Sequence, residues 1–191
     1  MDEAVSKPTD AAAHDALERI RRRAADPTTR TDWTSAGGGP IAAPATDAHI
    51  AAAEGALDFA LPAFLTLVYR AIGNGGFGPG AGLIGVPGGA TDANGSSIVD
   101  LYDSFSASNP DDRAWRWPDR LLPICHWSGA LYSCVDCAGR DAAVVSLDLT
   151  EYAPGRDLKH AMTEQAPSVE AWLRDWADGV DLWQRMFPLD S

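Results

Sequence analysis

The residue types best suited to chemistry lie close together in the sequence, at Cys125, His126, Cys134 and Cys137. Thiolate and imidazole groups are the ligands that structural zinc sites use, usually four at a time. The spacing argues against such a site, because the chain has a single C-x-x-C pair and neighbouring residues of a strand point to opposite faces. We therefore expect no metal or other cofactor and interpret the cysteines as small, reduced, core-filling residues. Zinc bound by these four residues stays open as the alternative.

A second candidate is the glycine-rich stretch 73–89, which holds nine of the chain's 18 glycines. From Gly73 to Gly78 it matches the dinucleotide-binding pattern G-x-G-x-x-G. That motif needs a strand before the glycines and a helix after them, whereas apolar spacing here predicts a helix over 61–72 and a strand over 83–86. We therefore interpret the stretch as a structural turn that needs positive φ and close backbone approach. Its structural residues are Asn74, Gly75, Gly76, Gly78 and Gly80.

Three of the aromatic residues outside the predicted helices and strands are candidates for a contact role: Phe77, Trp115 and Trp117. Phe77 is flanked by glycines, so it either fills the core or stands exposed as a contact residue. The irregular segment 115–118 either packs over the sheet or faces a partner. Aromatic side chains dominate the binding energy of many protein interfaces. We therefore take these three residues as candidates for partner contact, with core packing as the alternative for Phe77.

Local signatures of catalysis are missing from the sequence. It contains no G-x-S-x-G, H-E-x-x-H or P-loop motif. A Cys/His nucleophile pair needs two converging elements, and this is prevented by the adjacency of Cys125 and His126 in one predicted strand. The sequence therefore predicts a non-enzymatic protein. A small-molecule or metal site stays open as another class of function, formed by backbone N–H groups of the glycine turn and the hairpin from Cys125 to Cys137.

Apolar periodicity predicts the elements that position these residues. Helices are predicted over 11–25, 48–56, 61–72, 98–105 and 169–178, with a short apolar turn at 182–187. Strands are predicted over 83–86, 121–127, 130–136 and 142–149, and short turns join the last three as antiparallel neighbours. Residues 151–166 show no clear period. The predicted fold class is α+β, a single domain with helices packed on one antiparallel or mixed sheet, preceded by an N-terminal helical extension.

Three of these segments together resemble the SUKH superfamily of SMI/KNR-type proteins. They are Leu61-Pro62 leading through Tyr69 to the turn at 74–83, the segment 124–136, and the Trp-rich segment 170–179. The resemblance covers about residues 46–187, so we divide the chain into an extension, 1–45, and a domain, 46–188. It implies a non-enzymatic protein-binding role. Many bacterial members look like immunity proteins that neutralise toxin domains, often nucleases. Fungal members regulate cell-wall synthesis through protein contacts, so a regulatory scaffold is the alternative.

Charge narrows the choice of partner. The 191 residues include 27 acidic and 15 basic side chains, a formal net charge of −12. This excess argues against direct binding to nucleic acid or to an anionic membrane, and it suits a basic partner such as a nuclease toxin. The basic run at 19–23 is interpreted as a solvated helix face, and 37–40 as part of a Gly/Pro linker. With no apolar run of membrane-spanning length and no signal peptide, a cytoplasmic protein is expected.

Overall fold

Six α-helices and four β-strands are present in the part of the chain that the computed structural model describes, residues 10–29, 41–109 and 111–188. The helices are α1 (Asp10–Ala25), α2 (Asp47–Leu57), α3 (Ala63–Ala71), α4 (Ile98–Ser106), α5 (Val169–Ala177) and α6 (Leu182–Met186). The strands are β1 (Leu121–Ser128), β2 (Leu131–Asp136), β3 (Val144–Asp148) and β4 (Met162–Ala166). A short 3-10 helix, Leu158–Ala161, precedes β4. The predicted α+β class is confirmed.

The strands form one antiparallel sheet in the order β1-β2-β3-β4, so each strand pairs with the next one in the sequence. This is the meander predicted from the short turns. Gly129 lies in the turn between β1 and β2 with φ at 54°, a conformation that favours glycine. β2 is buried from Leu131 to Val135, because successive side chains alternate between two covered faces of the sheet.

Each face of the sheet carries its own packing layer. Tyr132 of β2 contacts Phe105 of α4, with ring centroids 5.3 Å apart. The next residue, Ser133, points to the opposite face. There its hydroxyl accepts a hydrogen bond from Trp127 Nε1 at 2.8 Å and donates one to Gln165 Oε1 at 2.8 Å. A series of side-chain hydrogen bonds therefore links β1, β2 and β4 beneath the C-terminal helices.

The two edges of the sheet differ from the sequence prediction. The predicted strand over 83–86 is wrong, because this segment makes only an isolated bridge, from Leu83 to Cys125, along the outer edge of β1. Glycines interrupt the pairing, and Gly82 has φ at 98°. At the other edge lies β4, which was not predicted; no described strand pairs with its outer side. Its Glu164 is exposed at this open edge.

Helix α1 packs against α5. Its apolar side is buried at Ala16, Leu17, Ile20 and Ala24. Arg19 forms an ion pair with Asp178 at 3.1 Å, and the Arg23 guanidinium lies 4.9 Å from the centroid of the Trp176 ring. Arg19 and Arg22 are exposed, as the interpretation of 19–23 as a solvated face expects, whereas Arg23 is half-buried because its guanidinium packs on Trp176.

Candidate protein-interaction surface

The glycine-rich turn is an internal joint of the fold. Gly75 has φ at 84°, and a Cβ there would lie 2.5 Å from the carbonyl oxygen of Leu83. Gly80 has φ at 58°, and its Cβ would lie 2.9 Å from Cys125 Sγ. The N–H of Gly76 donates to the carbonyl of Leu83 at 2.9 Å. Because the chain itself uses this space and this donor, the turn gives no support to the small-molecule alternative. Gly78 also has positive φ, at 115°.

Asn74 acts through its side chain. It is 1% exposed, its Oδ1 accepts a hydrogen bond from the N–H of Val86 at 2.9 Å, and its Nδ2 donates to the carbonyl of Val86 at 3.2 Å. Gly89 makes room for it, since a Cβ on Gly89 would lie 2.3 Å from Asn74 Cγ. Asn74 therefore binds the backbone on the far side of the turn, as a neighbouring strand would.

Phe77 lies in the core. Its exposed fraction is 0%, and its ring centroid is 6.4 Å from that of Trp176 on α5. A fully buried ring offers no surface to a partner, so the interpretation of Phe77 as a contact residue is corrected to core packing. The neighbouring glycines have no side chains that could pack with the ring, so the local sequence does not indicate that Phe77 is buried.

The four residues considered for zinc do not converge. Cys125 and Cys134 are fully buried, and burial raises the pKa of the Cys134 thiol above its ordinary value. Burial, with a smaller contribution from Asp136, raises the pKa of Cys137 to about 12. His126 Nε2 lies 3.0 Å from the carbonyl oxygen of Gly129. Across the described ranges, no three His, Cys, Asp or Glu side chains are arranged to hold a metal ion.

Trp115 and Trp117 belong to a continuous series of aromatic rings, which we call the aromatic row. In spatial order its members are His126, Tyr132, Phe105, Trp117, Trp115 and Tyr152. Successive ring centroids lie 4.6, 5.3, 4.8, 6.2 and 5.2 Å apart. Tyr132 is buried and the other five rings are half-buried, so the row packs on the sheet and still presents aromatic surface to solvent.

Hydrogen bonds fix the exposed half of the aromatic row. Trp115 Nε1 donates to the carbonyl of Phe105 at 2.8 Å, and Trp117 Nε1 donates to the carbonyl of Leu121 at 2.8 Å. The hydroxyl of Tyr152 donates to the carboxylate of Asp112. This bond holds the pKa of Asp112 below its ordinary value and raises that of Tyr152. The rings are therefore held in one arrangement before any partner arrives, which lowers the entropy cost of binding.

As contact residues, the sequence alone singled out only the two tryptophans of this surface, and it singled out His126 only as a metal ligand. Phe105, Tyr132 and Tyr152 come from α4, β2 and the segment after β3, and the fold brings them together. The available signal was weak: Tyr102 and Phe105 fall three residues apart on α4, on the side of the helix that contacts the sheet and Phe59.

Helix α4 adds negative charge beside the aromatic row. From residue 71 to residue 112 the chain has five aspartates and no lysine, arginine or glutamate. Two of them, Asp100 and Asp103, lie exposed on α4, which also carries Phe105 of the row. Asp100 accepts hydrogen bonds from the hydroxyl and N–H of Ser97, which hold the pKa of its carboxyl below the ordinary value. The exposed side of α4 therefore carries two aspartates and no basic residue, and we call Asp100 and Asp103 the acidic pair.

A cleft of about 540 Å³ lies elsewhere, between the starts of α3 and α5 and the turn between β2 and β3. Arg140 and Arg174 line it together with Asp141 and Glu170, so its charges balance. Arg174 and Glu170 approach to 3.8 Å. The cleft contains no member of the aromatic row, and its exposed Arg140 provides a control position for binding experiments.

These features define a class of protein: an α+β domain with a fixed aromatic row, the acidic pair on α4, and exposed Arg113 and Arg116 next to Trp115 in the sequence. Residues 44–175 match the family model described as the SMI1 / KNR4 family (SUKH-1). The match covers more than half of the chain, so the chain belongs to this family. Family membership supports a protein-interaction module at the level of the family. A comparison with curated proteins gave no match.

The matched region begins after α1, although α1 packs on α5, most of which lies inside the match. The division into an extension, 1–45, and a domain, 46–188, stays a prediction, and the part of the predicted linker at 37–40 lies outside the described residues. Among the helices of the described part, none is both long and apolar enough to cross a membrane.

Proposed function

We propose that this chain is an immunity protein that binds and neutralises a basic toxin domain through the aromatic row and the acidic pair. The observation that carries the proposal is a set of half-buried aromatic rings, fixed by hydrogen bonds, beside a helix with exposed carboxylates and no basic residue. Its action is by binding, without catalysis, and in the cytoplasm.

The aromatic row supplies what protein interfaces use for affinity. Tryptophan and tyrosine are enriched among the interface residues whose truncation costs the most binding free energy. These residues lie in well-packed positions surrounded by a polar rim. Trp115 and Trp117 combine a packed side, an anchored indole N–H and an exposed ring edge. Binding to such rigid rings spends little free energy on ordering them.

The acidic pair supplies what a basic partner needs. A nuclease binds polyanionic substrate, so its substrate-binding surface carries lysine and arginine. Asp100 and Asp103 would face such side chains, attract them during encounter and compete with the phosphates. The formal net charge of −12 strengthens this attraction over the whole molecule.

The test uses a candidate toxin domain, chosen from the genes that neighbour the gene of this chain. We expect the full chain to protect cells that express that toxin, and Trp115→Ala to weaken binding by about 2 kcal/mol, roughly 30-fold in Kd, by calorimetry. Asp103→Lys should slow association, most strongly at low salt. Thermal unfolding of each variant checks that the fold is kept.

Arg140→Ala, in the charge-balanced cleft, is the matched control and should bind and protect as the wild type does. If Trp115→Ala and Asp103→Lys bind as tightly as Arg140→Ala, the assignment of the surface is wrong. If the wild type neither binds the toxin domain nor protects the cells, the immunity role is wrong and the regulatory-scaffold alternative takes its place.

A further inference from the structure

The chain contains two Asn-Gly dipeptides, Asn74-Gly75 and Asn94-Gly95, and the fold treats them very differently. In an Asn-Gly pair the backbone nitrogen of glycine can attack the side-chain carbonyl carbon of asparagine, because glycine has no Cβ to hinder the approach. A C–N bond forms, the side-chain amide leaves as ammonia, and a five-membered succinimide remains. Water then opens this ring to aspartate or to isoaspartate. No oxidant, metal or enzyme is needed.

Asn74 is held away from this reaction. Both polar atoms of its side chain bond the backbone of Val86, at 2.9 and 3.2 Å, and the side chain is buried. The attacking nitrogen, that of Gly75, donates to the carbonyl of Gly73 at 2.9 Å. A Cβ at Gly75 would meet backbone atoms at 2.5 Å, so the nitrogen has little room to move toward the side chain. The reaction at Asn74 therefore requires opening of the buried glycine turn.

Asn94 stands in a surface turn. It is exposed, and its Nδ2 has one contact, to Asp92 Oδ2 at 3.4 Å. A Cβ built on Gly95 meets nothing within 4 Å, so the space around the attacking nitrogen is open. That nitrogen donates a single hydrogen bond, to the carbonyl of Asp92 at 3.1 Å. The turn is also held by Asp92 Oδ1, which accepts from the N–H groups of Asn94 and Ser96, but opening a short surface turn costs less free energy than opening a core segment.

We propose that Asn94 is a site of spontaneous deamidation through attack by the Gly95 nitrogen, and that the fold protects the identical dipeptide at Asn74. The product places a new carboxylate three residues before Ser97, the N-cap of α4. The charge therefore appears next to the helix that carries the acidic pair. The isoaspartyl product also adds one backbone atom to the turn that leads into α4.

The test is incubation of the full-length folded protein at mildly alkaline pH, followed by peptide mapping with mass spectrometry. We expect conversion at Asn94 to be more than about tenfold faster than at Asn74, a factor that corresponds to about 1.4 kcal/mol. The rate should rise with pH, because the attacking nitrogen must lose its proton. Asn94→Gln is the control, since its longer side chain disfavours the five-membered ring and should remove the modified peptide.

A parallel incubation in urea separates the effect of sequence from that of fold. In the unfolded chain both dipeptides should convert at similar rates. The proposal is overturned if Asn74 converts as fast as Asn94 in the folded protein, or if Asn94 stays intact over a period in which the unfolded chain has converted. It is also overturned if Asn74 remains intact in urea, because its protection would then not come from the fold.

Discussion

Replacing Asn74 by alanine tests whether one side chain holds the glycine turn. The substitution removes the acceptor for the N–H of Val86 and the donor to its carbonyl, and Val86 is 0% exposed. The carbonyl of Val86 keeps the hydrogen bond from the N–H of Gly89 at 2.9 Å, so only the N–H of Val86 is left without a partner, at a cost of about 1–3 kcal/mol. Total stabilities of about 5–15 kcal/mol make this a large fraction of the free energy of unfolding.

The assay is urea unfolding followed by tryptophan fluorescence, with the free energy of unfolding taken at zero denaturant. Asn94→Ala is the matched control, because it changes the same residue type in an exposed turn and should stay within about 0.5 kcal/mol of the wild type. A loss of less than about 1 kcal/mol for Asn74→Ala would refute the reasoning, since the unpaired N–H of Val86 alone should cost that much.

Asn74→Asp adds a pH dependence to the same experiment. A carboxyl group buried at this position, facing the carbonyl oxygen of Val86, should have a pKa above its unfolded value of about 3.9. A raised pKa means that the folded state holds the proton more tightly than the unfolded state does. Relative to the wild type at the same pH, the variant should therefore lose stability as the pH rises from about 3.9 to the pKa of the folded state and beyond it, and recover stability as the pH falls. A penalty independent of pH would show that the carboxyl group reaches solvent.

Three further predictions concern α1, the open sheet edge and the aromatic row. Arg23→Ala should lower the free energy of unfolding by about 1–2 kcal/mol in thermal unfolding, because the guanidinium covers the ring of Trp176. Glu164→Val should cause concentration-dependent self-association in light scattering, because it removes an exposed charge from the unpaired edge of β4. Tyr152→Phe should raise the pKa of Asp112 toward its ordinary value in an NMR titration, because it removes the hydrogen bond that contributes most to lowering it.

Each of these predictions has its own control. Arg22→Ala removes an exposed arginine of the same helix and should leave stability nearly unchanged. Glu151→Val adds an exposed valine outside the sheet, so association seen equally with it would show that the open edge is not responsible. In Tyr152→Phe the N–H of Ala114 still donates to Asp112, so a complete return of the pKa would mean that this second bond contributes nothing.

Local pattern predicted the elements whose burial follows a clear period. α5 has Val169, Trp172, Leu173 and Trp176 buried on one stripe, and the strands of the meander are separated by short polar turns. β4 was not predictable from apolar alternation, because its pairing is irregular and both Thr163 and Glu164 are exposed. The segment 83–86 produced the opposite error, a predicted strand that is not formed. Its short apolar sequence between glycines is typical of a strand, but its backbone makes only one isolated bridge to β1.

The candidate surface was only partly predictable, because proximity in space is set by the fold. Trp115 and Trp117 were identifiable as aromatic residues outside the regular elements, but Tyr152 lies 35 or more residues further along the chain and reaches Trp115 through the sheet. The burial of Phe77 involves packing near Trp176, a residue on a helix that lies far away in the sequence. Pairings of this kind require the tertiary structure, whereas capping and periodicity are written within a few adjacent residues.

The packing of α1 on α5 affects how the chain is made on the ribosome. Arg19 and Asp178 are 159 residues apart, so at about 5–20 residues per second α1 waits roughly 8–32 s for its partner to be synthesised. A helix of 16 residues is only marginally stable alone, and during this interval the side chains of Leu17 and Ile20 lack the α5 surface on which α1 packs in the folded chain. Docking of α1 is therefore among the last steps of folding, and the nascent chain is most open to chaperones and to aggregation just before it.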